Sequence, residues 1–172
     1  MIRPSFGQQA DIAWRAALPV GLTIILLFAA LLSWHLPRLG MIASALVLIS
    51  VFFWTVHQPG LMSMWGVLSI GLIHDFLMLA PFGVGLLVLL LVHGIALWQR
   101  KALNGMPFFL IWAVFGLAAA GSTLLTWLLV SFLQETLVNP AQAFDLFLLE
   151  FVCYPLLAYA FAWIERRLLP TD

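Results

Sequence analysis

Long apolar runs, each cut off by a short polar or Pro/Gly-containing stretch, set the pattern of this chain. The first runs from Ala16 to about Trp34 (16–34) and stops at His35-Leu36-Pro37-Arg38. The second, Leu39 to Val56 (39–56), ends at His57-Gln58-Pro59-Gly60, and the third, Leu61 to Ala80 (61–80), ends at Pro81. The fourth, Phe82 to about Trp98 (82–98), closes at Gln99-Arg100-Lys101. A fifth extends from about Met106 to Phe132 (106–132) and a sixth from about Leu146 to Ile164 (146–164), with a polar connection from Gln134 through Asn139-Pro140 to Asp145 between them. Each approaches or exceeds the ~20 residues that a helix rising ~1.5 Å per residue needs to cross a ~30 Å hydrocarbon core. Their continuity predicts helices, because strands of a membrane barrel alternate apolar and polar positions. The expectation is one polytopic domain over residues 1–172, all-α, with six transmembrane helices.

The break at Pro81 is required by length, since Leu61 to Trp98 read as one helix would extend about 57 Å. Pro81 cannot donate to a helix ladder, and Gly83 and Gly85 open backbone angles closed to other residues, so a tight turn between two helices is expected there. The first run is longer than the apolar region of a signal peptide, about 7–15 residues, and no small-x-small cleavage site follows it before Arg38, so it reads as a retained span. With six spans both ends of the chain share a side. That side would carry Arg3, Arg15, Arg100, Lys101, Arg166 and Arg167, leaving Arg38 opposite, which predicts cytoplasmic termini and a bacterial inner membrane as the setting.

Composition agrees with the pattern. At 172 residues, 65% hydrophobic and 8% charged with a mean hydropathy of +1.13, a soluble domain would have too little polar surface to face water. A formal net charge of zero gives no electrostatic footprint for nucleic acid. Cys153 has no second cysteine for an internal disulfide and reads as a small packing residue.

Candidate chemistry begins with an exception. Between Leu39 and Gln99 the one charged side chain is Asp75, and a carboxylate at membrane depth costs on the order of 2.5–3.5 kcal/mol. Six residues before Pro81, it falls about 9 Å below the outer end of its helix. Gly71 and Asp75 share a helix face at i, i+4, where glycine lets a neighbouring backbone approach. Ligand binding, proton handling and a purely structural role all stay open for this acid. Glu150 reads as a residue within reach of the outer interface, with no spacing that pairs it to Asp75. His35, His57, His74 and His93 show no metal-ligand spacing, Ser122-Thr123 has no nucleophile context, and no acid pair suits catalysis; no metal, cofactor or enzymatic activity is expected. In the fifth run Ala113, Gly116, Ala120 and Thr123 align as a small-residue stripe suited to close helix contact. Trp34, Trp98 and Trp163 at span ends fit interfacial belts.

These residues taken together resemble the MreD family of bacterial rod shape-determining membrane proteins. The resemblance covers nearly the full length. It rests on the short polar start, Pro37 opening the second span, the cluster Phe52-Phe53-Trp54, the block Gly71-Leu72-Ile73-His74-Asp75 continuing to Gly83-Val84, and Tyr154-Pro155 before Arg166-Arg167. His74 and Pro81 match no family requirement, and nothing from Met106 to Asp145 carries a family motif. The resemblance implies a non-enzymatic scaffold of the cell-elongation complex, working in the lipid bilayer with MreC, MreB and the glycosyltransferase and transpeptidase of the lateral wall. It also implies a six-helix fold like the substrate-binding subunits of energy-coupling-factor transporters, with Gly71, Asp75 and Gly83 as ligand- or partner-binding residues and Gly116, Ala120 and Pro155 as helix-packing residues. The competing expectation is a substrate-binding subunit of a vitamin-type transporter.

Overall fold

The computed structural model describes residues 18–30, 39–78, 81–103 and 105–168, and these form six α-helices with no strand among them. They are α1 (Leu18–Ala30), α2 (Leu39–His57), α3 (Met64–Met78), α4 (Val84–Leu103), α5 (Phe108–Leu133) and α6 (Pro140–Leu168). Four of them, α2, α4, α5 and α6, are long and apolar enough to cross a membrane, and α1 and α3 are shorter apolar helices. The chain is a helical membrane protein. Of the expected first span, residues 16–17 and 31–34 lie outside the described residues, as do His35, Pro37, Arg38, Arg3 and Arg15.

Of the boundaries that differ from the apolar runs, three have a clear local reason. The third helix begins at Met64, not Leu61, because the turn continues through Leu61 and Met62, whose amides both bond the Gln58 carbonyl. Ser63 then caps the helix, its Oγ accepting from the Gly66 amide at 3.1 Å. The fourth continues past Trp98 through Arg100 and Lys101, basic residues that suit a helix C-terminus, until Gly105 turns the chain at φ +91. The sixth starts at Pro140, inside what reads as a polar connection. Asn139 Oδ1 accepts from the Ala141 amide at 3.0 Å, making Asn139 the cap and Pro140 the first helical residue, where its missing N–H costs nothing.

Helix α2 occupies the centre. It is apolar on every face, 67% of its span is buried, and it packs against α3, α4 and α6, while α4 and α6 are each also joined to α5. Its buried hydroxyls are matched to neighbours. Ser50 Oγ meets Thr23 Oγ1 of α1 at 2.6 Å, and Thr55 Oγ1 both donates to the Val51 carbonyl and meets His93 Nδ1 of α4 at 2.8 Å. Phe52, Phe53 and Trp54 fill the middle against Phe115, Tyr154 and Phe161, with Phe115 stacked on Tyr154 at 4.1 Å.

The α5–α6 seam is built around a missing donor. Pro155 within α6 has no N–H for the carbonyl of Phe151, four residues earlier, and Trp112 of α5 supplies one: its Nε1 donates to Phe151 O at 3.0 Å. Gly116 lies against the Phe151 ring, where an added Cβ would stand 2.7 Å from Cε2. The buried face of α5 runs through Phe115, Gly116, Ala119, Ser122 and Thr123. The expected stripe is therefore rotated: Ala113 is exposed and Ala120 half-buried, its carbonyl accepting from Thr123 Oγ1 at 3.1 Å.

Candidate functional site

At the end of the bundle that holds the α3–α4 turn, Asp75 reaches across from the last turn of α3 to the first turn of α4. Its Oδ2 accepts from the Gly83 amide at 2.9 Å and the Leu86 amide at 3.1 Å. Gly83, with φ +97, is the cap position of α4, and Leu86 is its third helical residue. Those are the two backbone donors that a capping box satisfies from within its own helix. Here a single carboxylate from the preceding helix serves both, and its negative charge sits at the positive end of the α4 dipole.

The glycines of this joint are set by distance. A Cβ on Gly71 would stand 2.9 Å from Leu86 Cα and 2.8 Å from its Cδ1, so only glycine lets α3 and α4 approach this closely. A Cβ on Gly85 would collide with Asp75 Oδ1 and reach 2.8 Å from His74 Nδ1. Gly83 faces open space but holds a left-handed backbone that other residues enter at a cost. The structure thus brings Gly71, Asp75 and Gly83 together, while Gly116, Ala120 and Pro155 belong to the α5–α6 side.

His74 extends the joint to α2. Its Nδ1 lies 3.3 Å from Asp75 Oδ1 and its Nε2 3.0 Å from Ser44 Oγ. With Asp75 as the carboxylate, which only accepts, the imidazole proton sits on Nδ1 and Nε2 accepts from the Ser44 hydroxyl. Successive side chains on an ideal helix point about 100° apart; here both turn toward the same cavity because α2 and α4 flank the end of α3.

That cavity, of about 430 Å³, lies between α2, α3, α4, α5 and α6 and is lined by Ser44, His74 and Asp75, by Ser122, Thr123 and Thr126 of α5, and by Gln142 and Glu150 of α6. Glu150 faces the interior of the bundle. It is 2% exposed, its Oε2 has no hydrogen-bond partner, and the start of α6 at Pro140 places it about 15 Å along the helix. Sequence reasoning missed it for that reason: with the helix begun at Leu146, Glu150 falls in the first turn, and with the Asn139-Pro140 cap it lies three turns in. Asp75 and Glu150 therefore line one chamber although nothing in their spacing relates them. Among the described residues no three His, Cys, Asp or Glu side chains converge as a metal site.

No protein-family model, curated protein or solved structure matches this chain. The reading of its function rests on the residues and their geometry.

Proposed function

We propose that this chain is an MreD-type membrane component of the bacterial cell-elongation machinery, a scaffold and not a catalyst. One observation carries the reading: Gly71, Asp75 and Gly83, members of the block on which the resemblance rests, are all occupied in fixing α3 against α4. An intramembrane acid so engaged builds a rigid frame instead of moving protons. In this reading α1 and α3 also cross the bilayer, giving six spans in an inner membrane with both termini cytoplasmic and a frame like that of energy-coupling-factor substrate-binding subunits. The exposed apolar faces then serve lipid and the single span of MreC, through which MreB and the wall glycosyltransferase and transpeptidase are reached.

The test is affinity purification of the tagged chain from native bacterial membranes in mild detergent, with partners identified by mass spectrometry. Recovery of MreC and the lateral-wall synthases is the expected result. Recovery of a coupling ATPase module carrying a bound small molecule would replace this reading with that of a transporter subunit, which the chamber around Glu150 favours.

A further inference from the structure

The chamber has a chemistry separate from the joint that walls it. A hydroxyl carries one hydrogen and two lone pairs. On α5, all three hydroxyls facing the chamber direct that hydrogen to carbonyls of their own helix: Ser122 Oγ to Ala119 O at 2.8 Å, Thr123 Oγ1 to Ala119 O at 2.9 Å, and Thr126 Oγ1 to Ser122 O at 2.8 Å. Their oxygens are left to the chamber as acceptors. Ser44 Oγ is held at the same chamber by His74 Nε2 at 3.0 Å.

Charge follows the same asymmetry. Asp75 meets the N-terminus of α4, whereas Glu150 Oε2 meets no partner and, among the described residues, no Lys or Arg lines the chamber. Gln142 is the one lining side chain with amide hydrogens to offer. A buried carboxyl oxygen without a partner, in a chamber whose hydroxyls present acceptors, is a costly arrangement for the empty protein and a favourable one for a ligand that brings N–H donors and positive charge. The rest of the lining is apolar, including Met41, Leu48, Val88 and Leu89. At about 430 Å³ the volume falls within the range of small-molecule sites, roughly 300–1,000 Å³.

We propose that this chamber binds a small organic ammonium, its cationic head on Glu150 and the α5 hydroxyl oxygens and its hydrocarbon body along the apolar wall. The site does not depend on the scaffold reading: it uses Glu150 and α5, not the Gly71–Asp75–Gly83 joint. An anionic ligand would face two carboxyl groups, with no Lys or Arg among the described lining residues to pair its charge.

The experiment is binding of radiolabelled n-hexylammonium to the full chain in zwitterionic lipid nanodiscs, with empty nanodiscs subtracted to remove partition into lipid. The expected result is saturable binding that hexanoate and n-hexanol fail to displace, and that Glu150→Gln weakens by about tenfold or more. Thr123→Val, which leaves the carboxyl in place and removes one acceptor, weakens it severalfold and serves as the second variant should Glu150→Gln not fold. Absence of saturable binding up to millimolar probe overturns the proposal. So does equal displacement by n-hexanol, or unchanged affinity in a folded Glu150→Gln protein. Displacement by potassium or sodium chloride at concentrations matching the probe would assign the site to an inorganic cation and overturn the organic-ammonium assignment.

Discussion

Replacing Asp75 tests the joint on which the frame depends. Its Oδ2 accepts two backbone amides, those of Gly83 and Leu86, at 2.9 and 3.1 Å. In Asp75→Ala both lose their partner at the start of α4. An unsatisfied buried donor costs about 1–3 kcal/mol, and a cap replaced by alanine about 0.5–2 kcal/mol; these overlap and do not add. Loss of the carboxylate from the helix dipole contributes up to about 2 kcal/mol in a partly buried setting. The expected cost of Asp75→Ala is therefore about 2–4 kcal/mol. Asp75→Asn keeps a neutral oxygen near the same amides and forfeits the charge, so about 1–2 kcal/mol is expected. The assay is reversible unfolding in mixed detergent–dodecyl sulfate micelles, followed through the fluorescence of the eight tryptophans. Hydrogen exchange at the Gly83 and Leu86 amides localises the effect, and both should exchange faster than amides in the middle of α4. A cost for Asp75→Ala within about 0.5 kcal/mol of zero, or one no larger than that of Asp75→Asn, refutes the cap.

Two further outcomes follow from the packing. Gly71→Ala places a methyl against the Leu86 backbone and should destabilise by about 1–3 kcal/mol relative to Gly94→Ala, which has nothing within 4 Å of an added Cβ and keeps only the helix-propensity gain; equal unfolding midpoints for the two variants would remove the close-approach argument. Trp112→Phe leaves the Phe151 carbonyl without a donor and should cost about 1 kcal/mol, but much less in a Pro155→Ala background, where residue 155 supplies the missing N–H. A double-mutant cycle with no coupling would show that the indole bond does not substitute for the helix bond.

The helical membrane architecture was legible because a bilayer demands long unbroken apolar runs, and four of those runs became helices of spanning length. The i, i+4 relation of Gly71 and Asp75 was legible for the same reason: helical period is local. Their partners were not, because which backbone amides Asp75 reaches depends on how the turn at Pro81 returns the chain, and the resulting bonds join residues 8 and 11 positions apart. Two errors came from treating local signals singly. Asn139-Pro140 reads as loop punctuation when taken by composition, yet an Asn cap followed by Pro at the first helical position is a helix start, and it puts Glu150 three turns along α6, on a buried face. The small-residue stripe of Ala113, Gly116, Ala120 and Thr123 placed Gly116 and Thr123 on the buried face, but that face, set by where Phe151 stands, runs on through Phe115 and Ala119 and leaves Ala113 exposed.

Asp75 and Glu150 show why the same functional group in one chamber carries different chemistry. Asp75 lies where a helix begins, and unpaired amides there supply all that a carboxylate lacks in an apolar medium, so its bonds are made within the chain. Glu150 lies three turns inside α6, where the helix satisfies its own amides and the facing helix has already directed its hydroxyl hydrogens inward. Its bonds are left over. Under the two proposals, assembly and ligand binding fall to different residues and are not rivals for one site. Changes at Gly71 or Asp75 should act on stability and through it on partner recovery, whereas Glu150→Gln should weaken ammonium binding by about tenfold or more while leaving the frame, and whatever docks on it, in place. A Glu150→Gln chain that unfolds as Asp75→Ala does would merge the two and show that the chamber is part of the joint.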